Sequence, residues 1–197
     1  AGLSAPIYCS EATALLVPVM LADALRHSSG RQRSTILKNA AIDPRLQRLA
    51  HLLRPLPFAQ WQRLPLRDSS ALYMRLQPAG HILGSAIVEL WLADGLGGTR
   101  KLVASGDLGQ PGRVILRDPT PITDADLLLI ESTYGDRLHK STGDTLEELV
   151  DVVTRTAPHG NVVIPAFAVG RTQELLYHFL QLIQQQRLPP VEIFVDS

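Results

Sequence analysis

The sequence has one cysteine, Cys9, so no internal disulfide can form and a reducing, cytoplasmic setting is the default expectation. It has no uninterrupted apolar run long enough to cross a bilayer. The most apolar stretch, residues 12–25, is broken by Pro18 and Asp23, whereas a spanning helix needs about 20 consecutive apolar residues. Residues 1–10 lack a basic start followed by an apolar stretch, so no secretory leader and no membrane association are expected. Net charge is also missing: 19 basic residues balance 19 acidic ones, and the total does not mark a polyanion binder. Low-complexity tracts and internal repeats are absent too.

What is present is enough apolar material for a packed core. Hydrophobic residues make up 45% of the 197 residues and charged residues 19%, which excludes a disordered chain and allows one sizeable domain or two small ones. The charges are segregated. Residues 26–67 hold Arg26, Arg31, Arg33, Lys38, Arg45, Arg48, Arg54, Arg63 and Arg67 against the single acid Asp43. In residues 116–151 nine acids face only Arg117, Arg137 and Lys140. The basic stretch can attract phosphates, or it can be the solvated face of helices.

Hydrophobic periodicity orders the chain. A strand over residues 5–9 leads into a helix over 11–27, with Ser10 as N-cap and Glu11 in the first turn. Gly30 breaks that helix. Asp43 and Pro44 start a second helix, which Pro55 and Pro57 end. From Ala71 the period is two: strands over 71–77 and 87–92, then a turn at Gly95, Gly97 and Gly98 and a hairpin partner over 101–104. Residues 126–130 read as a short strand buried on both faces. Helices over 145–155 and 172–186 alternate with strands over 161–164 and 191–195, which predicts a parallel, right-handed β-α-β unit. The change of pattern near Thr142 suggests a domain boundary.

Four segments combine strand ends, glycines and ionisable groups. In Pro78-Ala79-Gly80-His81-Ile82-Leu83-Gly84-Ser85-Ala86, a histidine sits in a glycine-flanked loop. The glycines permit tight turns and close approach by a ligand, and imidazole is a good zinc donor, although a loop histidine can simply be exposed. In Ser105-Gly106-Asp107-Leu108-Gly109, a carboxylate at a strand end can ligate metal or cap its own backbone in an Asx-turn. In Glu131-Ser132-Thr133-Tyr134-Gly135-Asp136-Arg137, the acid after an apolar strand needs a partner, at a site, in Arg137 or as a cap on the next loop. In Pro165-Ala166-Phe167-Ala168-Val169-Gly170-Arg171-Thr172-Gln173-Glu174, the amides of a helix start and Arg171 suit a phosphate, unless Arg171 pairs with Glu174. No phosphate-binding P-loop, Cys-x-x-Cys, His-Glu-x-x-His or Gly-x-Ser-x-Gly pattern occurs. The residues alone point to a metal or phosphate site and name no reaction.

Taken in order, these four segments resemble the β-CASP branch of the metallo-β-lactamase superfamily. That branch includes bacterial RNA-processing nucleases and the endonuclease subunit of eukaryotic pre-mRNA 3′-end cleavage. The resemblance covers nearly the whole chain. It implies an α/β architecture: a partial metallo-β-lactamase αββα fold over residues 1–142, then the start of a β-CASP α/β domain over 143–197. It makes His81 a zinc ligand and Asp107 the carboxylate shared by two zinc ions. Glu131 becomes an acid supporting a distant histidine in acid–base catalysis, whereas Arg171 as a phosphate contact rests on the residues at the helix start.

The implied reaction is hydrolysis of an RNA phosphodiester by zinc-activated water, as an endonuclease, a 5′-exonuclease or both. Single-stranded DNA as a second substrate and a homodimer stay open. The family's His-x-His-x-Asp-His motif, expected before residue 5, and its later histidine motifs are not in this sequence. Two ligands do not close a zinc site, so this polypeptide by itself is expected to bind zinc poorly and to lack nuclease activity. The competing expectations are an inactive β-CASP scaffold or RNA-binding subunit, and a small-molecule hydrolase of the metallo-β-lactamase fold. The β-CASP-like segment after Gly143 argues against the small-molecule enzyme.

Overall fold

A computed structural model describes residues 4–29, 44–66, 71–93 and 97–196. The chain divides into two compact units, Ala1–Glu131 and Ser132–Ser197. The change of sequence pattern near Thr142 lies inside the second unit, at the start of its first helix.

The first unit opens with strand β1 (Ile7–Ser10) and helix α1 (Glu11–Ser29), which continues through Pro18. Helix α2 (Pro44–Leu52) follows, then strand β2 (Leu53–Leu56). Asp43 and Gly30, read as helix start and break, fall outside the described residues. Strands β1 and β2 pair in parallel, Ile7 opposite Leu53 and Cys9 opposite Pro55. The sequence reading made Pro55 the end of a helix. The helix stops at Leu52 instead, and Pro55 sits in a strand of a two-stranded sheet, where an open edge tolerates a missing N–H.

The remaining strands form one five-stranded sheet in sequence order: β3 (Gln62–Leu64), β4 (Ala71–Pro78), β5 (Ala86–Ala93), β6 (Thr99–Ala104) and β7 (Leu127–Leu129). The first four are antiparallel, as alternation predicted for β4 to β6. Strand β7 is parallel to β6, and a parallel neighbour requires a long crossover. Residues 105–126 make that connection, and Leu108 and Ile122 pack on a core of Ala79, Ile87 and Val103. The crossover therefore lays Asp107 beside the end of β4. The expectation that β7 is buried on both faces is not met. Leu127, Leu128 and Leu129 are all more than half exposed, because among the described residues no core cluster covers either face of this edge strand.

The second unit is a pair of helices, α3 (Thr142–Thr156) and α4 (Arg171–Gln184). The Ser141 hydroxyl caps α3 by accepting the Asp144 amide at 3.0 Å. Val153, Phe179, Leu182 and Leu188 form the core, with Val162 and Val191 packed against it. These two valines come from segments predicted as strands. One valine in each segment packs inward while Ile164, Ile193 and Val195 are exposed, and no ladder forms in this unit among the described residues, so the predicted β-α-β crossover is not seen. A strand needs a hydrogen-bonded neighbour, and packing one side chain on a helix pair does not supply it. Among the described residues no helix is long and apolar enough to cross a membrane.

Candidate metal centre

The loop between β4 and β5 carries His81, and its backbone is closed on itself. The Ser85 hydroxyl accepts the His81 amide at 3.0 Å and the Ile82 amide at 3.2 Å. The Ala79 amide donates to the Ser85 carbonyl at 3.2 Å, and the Ser85 amide to Ile82 at 3.0 Å. Gly80 and Gly84 both have positive φ, 70° and 88°, a region L side chains avoid. The sequence reading had them make room for a ligand. They make room for protein instead. A Cβ on Gly84 would lie 2.6 Å from the Thr13 hydroxyl, and one on Gly80 2.9 Å from the Arg117 carbonyl oxygen.

The second loop, after β6, carries Asp107 and is stitched to the first. The Gly109 amide donates to the Ala79 carbonyl at 2.8 Å. The result is that Nε2 of His81 lies 3.9 Å from Oδ2 of Asp107, with both side chains open to solvent. Imidazole nitrogen and carboxylate oxygen are ordinary zinc donors. Two such donors on one tetrahedral ion are about 3.3 Å apart at normal bond lengths, so a small side-chain rotation would fit the pair to zinc. The donor chemistry fits the metal. The donor count does not complete a site: among the described residues, no group of three or more His, Cys, Asp or Glu is arranged to hold a metal ion.

Glu131 follows β7 and reaches the same place from the other side. Its carboxylate accepts the amide of Leu108, the residue after Asp107. Its own amide donates to the Ser105 hydroxyl at 3.1 Å. Arg137, one partner the sequence offered for Glu131, pairs with Asp136 at 3.1 Å. His81, Asp107 and Glu131 are thus brought together in the first unit. Arg171 belongs to the second, as the first residue of α4, on an exposed turn. There the Gly170 amide is capped by the Gln173 side chain at 2.7 Å.

A charge network that the sequence reading did not single out spans the same sheet. Glu89 is fully buried and accepts two hydrogen bonds from Arg75, at 2.7 and 3.0 Å. Lys101 Nζ lies 2.8 Å from Glu89 and 2.9 Å from Asp124. Burial pushes the Glu89 carboxyl up, but hydrogen bonds from Arg75 and Lys101 outweigh it and hold the group below the usual glutamate range. Burial lowers the Lys101 ammonium, and its bonds to Glu89 and Asp124 overcome this and raise it. Alternation held the signal: Arg75 and Glu89 are cross-strand partners, as are Trp91 and Lys101, so both pairs share one face. Arg75 also lies 4.5 Å from the Trp61 ring centre.

Of the nine basic residues counted in residues 26–67, only the side chains of Arg48, Arg54 and Arg63 lie among the described residues, and all three are exposed. The Arg54 guanidinium donates to the His51 and Leu53 carbonyls at 2.7 and 2.9 Å.

No protein-family model matches the chain. Single proteins do. Over 199 residues it is 38% identical to ribonuclease TTHA0252 of Thermus thermophilus, an alignment covering all of this chain and 41% of that protein. It is 40% identical over 123 residues to an RNase J-like protein of Methanocaldococcus jannaschii, covering 60% of this chain and 28% of the relative. It is 27% identical over 201 residues to transcription termination factor FttA of Methanosarcina mazei, covering all of this chain and 30% of that protein. The chain spans less than half the length of each of these relatives.

Proposed function

The chain belongs to the β-CASP family of metallo-β-lactamase-fold nucleases, and from that premise we propose that the whole protein is a zinc-dependent phosphodiester hydrolase that processes RNA. The observation that supports this reading is the approach of His81 Nε2 to within 3.9 Å of Asp107 Oδ2, on two loops joined by the Gly109–Ala79 hydrogen bond. The ribonuclease name of the Thermus thermophilus relative supports RNA as the substrate.

In this reading His81 and Asp107 would hold zinc. Bound there, zinc supplies Lewis-acid polarisation of phosphoryl oxygens and acidification of water at neutral pH. The protein's own contribution is placement. Ser85 holds the His81 backbone through two amides. Glu131 holds the Leu108 amide and thereby the turn that presents Asp107. Arg171, at the start of α4, offers a guanidinium to a phosphate of the strand. The present polypeptide, with this donor pair, binds zinc poorly and has no meaningful nuclease activity. The protein acts in the cytoplasm.

The test is cleavage of an end-labelled single-stranded RNA by the whole protein, with zinc and after chelation. Cleavage that needs zinc and falls to background in His81→Ala and Asp107→Asn supports the reading. Zinc-independent cleavage overturns the metal assignment. RNA binding without cleavage in zinc-loaded protein replaces the enzyme with an RNA-binding scaffold.

A further inference from the structure

The His81 loop is held at its far end by hydroxyls from a different part of the chain. Ser10, the last residue of β1, is buried, with 2% of its surface exposed. Its hydroxyl donates to the Gly84 carbonyl at 2.7 Å and accepts the Thr13 amide at 3.2 Å, so it caps α1 and grips the loop together. The Thr13 hydroxyl lies 3.0 Å from the same Gly84 carbonyl and 2.9 Å from Ser10 Oγ. A hydroxyl carries one proton, so Thr13 donates to one of the two, and in either case the three groups form a closed set. The approach is tight enough that residue 84 must be glycine.

We propose that Ser10 and Thr13 are positioning residues for His81: through the Gly84 carbonyl, the start of α1 sets where the imidazole stands relative to Asp107. The inference rests on the reading of His81 as a metal donor only for its purpose; the grip itself stands on the contacts above. Two anchors define the loop, Ser85 at the His81 and Ile82 amides and the Ser10–Thr13 pair at Gly84. With the second anchor removed, Gly84 and its neighbours are free to rotate about the first. The half-buried Gly84 carbonyl then loses a donor, a loss that propagates to His81 and not to the central sheet.

The experiment is amide hydrogen exchange and imidazole NMR on the 197-residue chain, comparing wild type with Ser10→Ala, Thr13→Val and Thr13→Ser. Exchange at the His81 and Ile82 amides is expected to quicken about tenfold in Ser10→Ala and Thr13→Val, the effect of one lost hydrogen bond. The His81 ring signals shift, while the Val88 and Leu90 amides of β5 hold; Ser10→Ala, which also loses the cap of α1, melts lower. Thr13→Ser, which keeps the hydroxyl, restores the wild-type pattern. Should Ser10→Ala not fold, the Thr13→Val and Thr13→Ser pair decides alone. Unchanged exchange and ring signals in folded variants overturn the proposal, as does a Thr13→Ser variant that behaves like Thr13→Val. Adding Zn2+ to the wild type separates the two ideas: no zinc-induced shift at His81 removes its role as a metal donor and leaves the exchange result to judge the grip.

Discussion

Gly109 lies so close to Gly80 that a Cβ at position 109 would sit 1.7 Å from the Gly80 carbonyl oxygen. No side chain fits there, and the obstacle is backbone, which cannot rotate away. This contact, with the 2.8 Å bond from the Gly109 amide to Ala79, brings the His81 and Asp107 loops together. Gly109→Ala therefore forces the loops apart. Overpacking of this kind costs about 1–3 kcal/mol, and a hindrance that is all backbone belongs at the upper end. The unfolding midpoint in urea should drop accordingly, and the His81 and Asp107 signals should move in NMR spectra. A variant as stable as wild type would show that the loops are not packed this way.

Glu89 has no surface exposed and joins Arg75 to Lys101, itself nearly buried. Glu89→Gln keeps the shape and removes the charge, which leaves a buried ammonium facing an amide. Breaking a buried ion pair by removing one partner costs about 3–5 kcal/mol. Arg75 is partly exposed, so the lower end is expected. Equilibrium unfolding measures it, and a cost below about 1 kcal/mol, the scale of a surface pair, would mean that water reaches the pair freely.

The same network sets a pH dependence with two limbs. Glu89 has a lowered folded value, so its contribution is complete above the ordinary glutamate range near about 4.3 and is lost as pH falls through the lowered value. Lys101 has a raised folded value, so its contribution is complete below the ordinary lysine range near about 10.4 and is lost as pH rises through the raised one. Stability should thus be flat with respect to this network between those ranges and fall outside both. In Glu89→Gln the acid limb should shrink. Denaturation at a series of pH values checks this, and an unchanged acid limb in the variant would assign it to other carboxylates.

Much of this was legible in the sequence, for identifiable reasons. Alternation located β4, β5 and β6 because polar residues such as Arg75, Gln77, Glu89 and Lys101 interrupt their apolar neighbours, and the period of two survives in Leu72, Met74 and Leu76. The helix starting after Ser10 was readable from its cap. The loop residues His81 and Asp107 were readable from their glycine neighbours, although what the glycines accommodate was not. Gly84 answers to Ser10 and Thr13, and Gly109 to Gly80, and no local pattern encodes a partner so distant in the chain. Strand β2 was missed because two prolines read as helix breakers, when pairing with β1 decides the outcome. The segments holding Val162 and Val191 read as strands because one side chain in each packs inward, which is a necessary condition for a strand and not a sufficient one.

Zinc binding tests the donor count. His81 and Asp107 are a matched pair of donors, and a stable structural or catalytic site uses at least three protein ligands. The 197-residue chain, dialysed against zinc and assayed for retained metal, should hold less than one equivalent. His81→Ala should abolish what is held. Tight retention of one or two equivalents would mean that further ligands converge on the pair.

Glu131 has two candidate roles, and its bond from the Leu108 amide allows a clean separation. The family resemblance makes it an acid that supports acid–base chemistry. The structure shows it accepting the Leu108 amide beside Asp107, a bond that needs an acceptor oxygen and no particular charge. Glu131→Gln keeps an acceptor oxygen and loses the ionisable group; Glu131→Ala loses both. If holding the Asp107 turn is the dominant task, Glu131→Gln keeps the Leu108 amide protected from exchange, and Glu131→Ala exposes it by about tenfold, the effect of one hydrogen bond. Cleavage by the whole protein then follows the same order, with the Gln variant well above the Ala variant. Equal loss of cleavage in both, with Leu108 still protected in the Gln variant, would instead give the carboxyl proton the decisive part.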